Sequence, residues 1–190
     1  METSIKIGLP SITFVGVAEK LGVSHMALYN HVNGLDALKT LVAETIFLRW
    51  ELPEMDAGCT LRDYLIKLAA SMWNLVETHA GITPYLLRRD MITPAIEQRI
   101  ADHQKKLAKH YKLPLIQAHW LGFTISYHTL SVADSVLPDN TDEKDQTRYQ
   151  SNFGIYGIAD EYAMGIHALI VGCLSIMNEI TEKKRSASEE

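Results

Sequence analysis

Several kinds of residue and pattern are scarce in this 190-residue chain, and each scarcity closes off a class of protein. It has two cysteines, Cys59 and Cys173, too far apart for a metal-ligand spacing or a disulfide framework. They read as reduced thiols in or near a core. No stretch of convincing length alternates apolar and polar residues with period two, so strands are not expected. No positively charged start leads into an apolar run, so no secretory signal is evident. The longest apolar stretch, around Ala163 to Met177, carries His167 and several small residues and reads as too short to span a bilayer. Nothing repeats at a fixed period, and no segment is of low complexity.

Catalytic and metal-binding patterns are missing too. The eight histidines never fall at i, i+4, and there is no Glu-x-x-His pair, no His-Glu-x-x-His and no aspartate-rich metal motif. Glu97 and Asp102 near His103 read as ordinary surface pairs on a charged helix. No catalytic residue, metal or cofactor is therefore expected, and a helical-bundle enzyme is disfavoured. An excess of basic charge is also lacking, since the net charge is −5. Lys6, Lys20, Lys39 and Arg49 balance Glu2, Glu19, Asp36 and Glu44 in residues 1–50, so residues 51–190 hold the whole negative balance. The first segment is less acidic than the rest but not basic, although phosphate neutralisation supplies most non-specific affinity for DNA.

What is present is apolar residue content of 47%, enough to bury a substantial core in one compact domain or in a small and a larger one. The most informative stretch is Val17 to Val32, VAEKLGVSHMALYNHV. Val17, Ala18 and Leu21 share one helix face, and Gly22 suits the left-handed residue that ends a helix. Val23 reads as an apolar plug and Ser24 as the N-cap of a second helix. That helix turns Ala27, Leu28 and Val32 inward, leaving His25, Met26, Tyr29, Asn30 and His31 to face elsewhere. Two helices, a Gly-containing turn and polar residues at the start of the second describe a helix-turn-helix, whose second helix enters the DNA major groove.

The run from Ile12 to Leu38, ITFVGVAEKLGVSHMALYNHVNGLDAL, resembles the second and third helices of the TetR family of bacterial transcriptional repressors. Thr13 opening the first helix, the Leu21-Gly22-Val23-Ser24 turn, the Ala27-Leu28-Tyr29-x-His31-Val32 run, and Asp36 with Leu38 carry the match. The resemblance covers about 27 of the 190 residues. It implies an all-α fold, with a DNA-binding head over residues 1–50 and a helical ligand-binding and dimerisation domain over 51–185. Candidate DNA contacts are Thr13 and Ser24 at helix N-termini, which attract phosphate. His25, Met26 and Asn30 are candidates for base edges. The resemblance places Tyr29 and His31 on phosphates, and Lys39 is a further candidate from the next helix.

The sequence departs from the family in three places. Leu35 stands where a lysine is usual, and Phe14 and Val15 stand where polar or basic residues are common. The first helix of the head is missing or truncated, because only METSIKIGLPS precedes the motif, with Ile5, Ile7 and Leu9 as its apolar residues. The undersides of Val17, Leu21 and Leu28 are thus expected to lose cover, each forfeiting about 1.5–3 kcal/mol of burial. A truncated start explains this more simply than a degraded head.

The remainder reads as helices. One starts at Asp36, turns Leu38, Leu41, Val42, Thr45, Ile46 and Leu48 inward, and ends by Leu52-Pro53. Thr60 caps another reaching about His79, with Leu61, Leu65, Leu68, Ala69, Met72, Trp73 and Val76 on one face. A short helix runs from Pro84 to Arg89. Thr93-Pro94 signals the start of a charged helix reaching about Tyr111. Leu113 to Val136 is long and aromatic, residues 137–153 form a polar loop, and a last helix runs from about 158 to 180. Gly165, Ala168 and Gly172 give that helix one smooth face, which permits close helix approach.

Met72, Trp73, Tyr85, His119, Trp120, Phe123, Tyr127 and His128 are the candidates for an apolar ligand cavity with a few polar groups. The expected function is a cytoplasmic, non-enzymatic, ligand-responsive repressor with no membrane partner. It would bind operator double-stranded DNA as a homodimer through helices 113–136 and 158–180, and a small-molecule effector would release it. The competing expectation is a helical small-molecule-binding dimer that has lost operator binding.

Overall fold

The computed structural model describes residues 8–137 and 158–186, and among these it contains eight α-helices and no strand. The apolar candidates Ile5 and Ile7, and nearly all of the expected loop 137–153, lie outside the described residues.

Helix α1 spans Phe14–Leu21. Thr13 caps it, its Oγ1 accepting from the Gly16 amide at 3.0 Å, and Gly22 ends it at φ +67° in the left-handed region. Helix α2, His25–Tyr29, is a little over one turn long, and the Ser24 hydroxyl accepts from the Ala27 amide at 3.1 Å. The capping residues read from sequence thus close both ends of the turn.

The cover over this pair differs from expectation. Val17 and Leu28 are buried, because Leu9 and Ile12, from the turn just before α1, join them in one apolar cluster at 3% and 1% exposure. This turn thereby covers part of the underside of the pair. It does not reach far enough, since Leu21 and Val23 remain 44% and 43% exposed. Leu21 is therefore not the buried face residue its spacing suggests, and Val23 is not a plug.

Helix α3, Gly34–Arg49, starts two residues earlier than the sequence suggests. Its buried residues are Leu38, Val42, Ala43, Ile46 and Phe47, whereas Leu41 and Leu48 are exposed. Apolar residues surround this helix, so spacing alone does not pick the inward stripe. At about 1.5 Å per residue it forms a rod of about 24 Å, running from the head into the body. The cluster around Leu38 continues through Phe47, Val76, Ile82, Leu86 and Ala133, so head and body share buried apolar contact.

Helix α4 spans Leu61–Thr78 and α5 Thr83–Leu87; α6 spans Pro94–His110, α7 Leu115–Val136 and α8 Ile158–Ser186. Thr60 and Thr93 cap α4 and α6 as read from sequence. Helix α7 is the central strut, packing on α4, α5, α6 and α8. Leu65, Leu121, Ile125, Ile166 and Ile170 form the buried seam of α4, α7 and α8, with Cys173 buried beside them. Both cysteines are free thiols.

The segment Asp160–Ile180 of α8 is, by length and apolar content, able to cross a membrane, which corrects the reading that it is too short. Helix propensity carries it through flanking polar residues that an apolar run would not count. Its inward stripe, Ile166, Ile170, Cys173 and Met177, is packed on α4 and α7. On the opposite side Gly165 and Gly172 have nothing within 4 Å of an added Cβ, so the smooth face stands open rather than closing an intramolecular contact.

Candidate functional site

Two surfaces carry the chemistry. The first is the head. Met26 is 74% exposed, the highest value among the described large apolar residues, and Tyr29, Asn30 and His31 are exposed around it. Tyr29 is held from below, its ring stacked on Phe14 at 4.3 Å between centroids and 9° between planes. Phe14, unable to bond DNA, thus fixes a residue that can. Thr13 and Ser24 point their hydroxyls at backbone amides as caps, and Lys39 lies half-buried on α3. The side chain of His25 is outside the described residues. Val15 and Leu35 are exposed apolar residues on the same domain.

The second surface is a cavity of about 150 Å³ in the body. Phe47, Trp50 and Leu52 line it from α3 and its end, Met72 and Leu75 from α4, and Leu86 and Leu87 from α5. Arg99, Ile100, His103 and Gln104 reach it from α6, and Phe123, Ser126, Tyr127 and Leu130 from α7. Of the eight ligand candidates read from sequence, Met72, Phe123 and Tyr127 are in this wall.

The other five lie elsewhere. Trp73 packs against Tyr162, 4.3 Å between centroids, and His128 stacks on the same ring at 6.4 Å. The Tyr162 hydroxyl donates to Thr129 Oγ1 at 2.9 Å, so this aromatic group belongs to the α7–α8 contact. Trp120 packs on the α4–α7–α8 seam. Tyr85 is buried in the cluster that joins head to body; burial, and secondarily the Asp36 carboxylate, raises its pKa. His119 is exposed and reaches the cavity only indirectly, its Nδ1 lying 2.9 Å from Gln104 Oε1.

Arg99, His103 and Gln104 are the residues sequence reading missed. They fall at i, i+4 and i+5 of α6, so they share one face, and that face points inward on the most charged helix. His103 is not a surface partner of Glu97 or Asp102. Its Nε2 lies 2.6 Å from the Tyr64 hydroxyl, and desolvation chiefly, with Lys106 and Arg99 adding, pulls its pKa down to about 4. Burial raises that of Tyr64, so the pair is neutral at pH 7.

Arg99 donates from both terminal nitrogens to the backbone carbonyls of Phe47 and Trp50. Its guanidinium carbon also sits 5.4 Å from the centre of the Phe47 ring. The last carbonyls of a helix have no partner within it and carry partial negative charge. Arg99 caps α3 from the side, and partial burial lowers its pKa. Among the described residues no three His, Cys, Asp or Glu side chains come together as a metal site.

Among the described residues the body is helical and holds an apolar cavity, and a helix-turn-helix stands exposed at one end. The fold is that of the TetR-family regulators, as comparison with solved structures shows. Apo ActR from Streptomyces coelicolor has a TM-score of 0.71 at 19% identity, covering 94% of each chain. ActR, described as a TetR family protein, in complex with actinorhodin has 0.66 at 18%, covering 91% of this chain and 93% of that one. A TetR variant from Acinetobacter baumannii AYE in complex with minocycline has 0.66 at 20%, covering 92% of each. No family model and no curated protein matches the sequence.

Proposed function

We propose that the chain is a ligand-responsive transcriptional regulator, a repressor that binds operator DNA through residues 1–50 and an effector through residues 51–185. The observation that carries this reading is the presentation of α2. Met26, Tyr29, Asn30 and His31 are bare on a helix-turn-helix whose caps are formed and whose underside is buried at Val17 and Leu28. Asn30 suits adenine, Met26 a thymine methyl, and Tyr29 and His31 phosphate oxygens. The proposal keeps Thr13, Ser24, His25 and Lys39 as DNA contacts.

The reading includes a homodimer through α7 and α8, which their outward faces support. Ile116 on α7, and Met164, Val171 and Ile176 on α8, are exposed large apolar residues, and the Gly165-Ala168-Gly172 stripe of α8 is open. Covering them removes apolar surface from water, and a two-fold axis supplies two recognition helices. The structural neighbours in complex with minocycline and actinorhodin support reading the cavity as an effector site. The reading is non-enzymatic and cytoplasmic, with the apolar face of α8 given to a partner helix rather than to lipid.

One observation favours the second reading, a ligand-binding dimer that no longer binds an operator. Val15, Leu21, Val23 and Leu35 expose apolar surface on the head, and α2 carries no lysine or arginine. A mobility-shift titration of the full chain against its own promoter fragment separates the two. The regulator reading expects a shifted complex that salt weakens steeply and an effector abolishes; absence of any shift favours the alternative.

A further inference from the structure

We propose that the cavity takes a small aromatic carboxylic acid and that Arg99 is the residue that binds its carboxylate. The inference rests on reading this cavity as the effector site. Among the described residues Arg99 is the one cation in the wall, and no aspartate or glutamate lines it. The imidazole there, His103, is tied to Tyr64 and stays neutral at pH 7. A partly desolvated guanidinium facing backbone carbonyls and a phenyl ring lacks a full counter-charge, which is costly in a low-dielectric site. Two of its five N–H groups are engaged by Phe47 and Trp50, leaving three for a ligand.

A carboxylate matches the guanidinium fork and supplies one negative charge to one positive charge. A phosphate dianion would bring two charges to a wall with a single cation, and an amine would be repelled by Arg99. The rest of the wall selects the body of the ligand: Phe47, Trp50, Phe123 and Tyr127 offer ring faces, with Leu86 and Ile92 beside them. Its volume of about 150 Å³ equals that of apolar cavities that take a benzene ring. Phe123 and Tyr127 are also solvent-exposed, so a second ring can lie in the mouth. Because the same guanidinium caps α3, charge placed at Arg99 is felt at the end of the helix that leads to the head.

The test is calorimetric titration of the full chain with 2-naphthoate and with its neutral isostere 2-naphthamide, repeated on Arg99→Met and Arg99→Lys. The expected result is naphthoate binding at least about tenfold tighter than naphthamide, a gap of about 1.4 kcal/mol. Arg99→Met brings the ratio close to one, and Arg99→Lys, which keeps the charge, retains a preference for the acid even should the Met variant fail to fold. Equal binding of the two probes by the unmodified chain, or an acid preference that survives in Arg99→Met, overturns the inference and leaves the ligand-cavity reading standing. Failure of both probes to bind overturns the cavity reading and the inference together.

Discussion

Pro10 lies so close to Gly81 that a Cβ on the glycine would come within 3.2 Å of the proline ring. Gly81 sits in the loop between α4 and α5 at φ +77°, a left-handed conformation that side chains disfavour. The contact seats the turn that precedes α1 on the body, next to the buried pair Leu9 and Ile12. Gly81→Ala is expected to cost about 1–3 kcal/mol, combining backbone strain with displacement of Pro10. Urea denaturation measures it, and an unchanged midpoint would show that the turn is not seated as described.

The stack of Tyr29 on Phe14 separates two roles of one side chain. Tyr29→Phe should leave stability unchanged and weaken promoter binding about tenfold, since a hydrogen bond to a charged phosphate contributes about 1.5–3 kcal/mol. Phe14→Ala should destabilise the head by about 3–5 kcal/mol and weaken DNA binding with it. Paired melting and anisotropy curves distinguish these outcomes.

His103 makes stability depend on pH in a defined direction. Its pKa falls from 6.5 to about 4 on folding, so the folded state resists the proton that the unfolded chain accepts. Its contribution is full above about pH 6.5 and is lost as pH falls towards 4, by roughly 1.4 kcal/mol per pH unit. Between pH 7 and pH 5 the unmodified chain should lose about 2 kcal/mol more than His103→Gln. Other groups, including His79, whose pKa burial also lowers, act equally in both proteins. Parallel urea curves at the two pH values check this, and equal losses would place His103 in water.

The open face of α8 predicts a change of mass. Ala168 lies between Gly165 and Gly172 on the exposed stripe, so Ala168→Arg should leave the monomer fold intact and block close helix approach. Light scattering should give twice the 21.3 kDa chain mass for the unmodified protein and the single mass for the variant. A variant that still dimerises would move the interface elsewhere.

The helices and their caps were readable in the sequence because they are local. Thr13, Ser24, Thr60 and Thr93 each accept from an amide three residues on, a relation that needs no tertiary information. The cavity was only partly readable, since a cavity exists where faces of several helices converge. Phe123 and Tyr127 are conspicuous as aromatics, but so are Trp73 and Trp120, which point into other seams. The i, i+4 spacing of Arg99 and His103 was available as a signal. It was masked by neighbouring Asp102, Lys105 and Lys106, which do form the exposed side of that helix.

Fluorescence anisotropy of a labelled promoter duplex, titrated with the full chain and with Asn30→Ala at about 50 mM and 200 mM salt, bears most directly on the regulator reading. That reading predicts binding that weakens by about a thousandfold or more across this salt range, and loses sequence preference when Asn30 is removed. Absence of binding at the lower salt, or binding indifferent to both salt and Asn30, would contradict it.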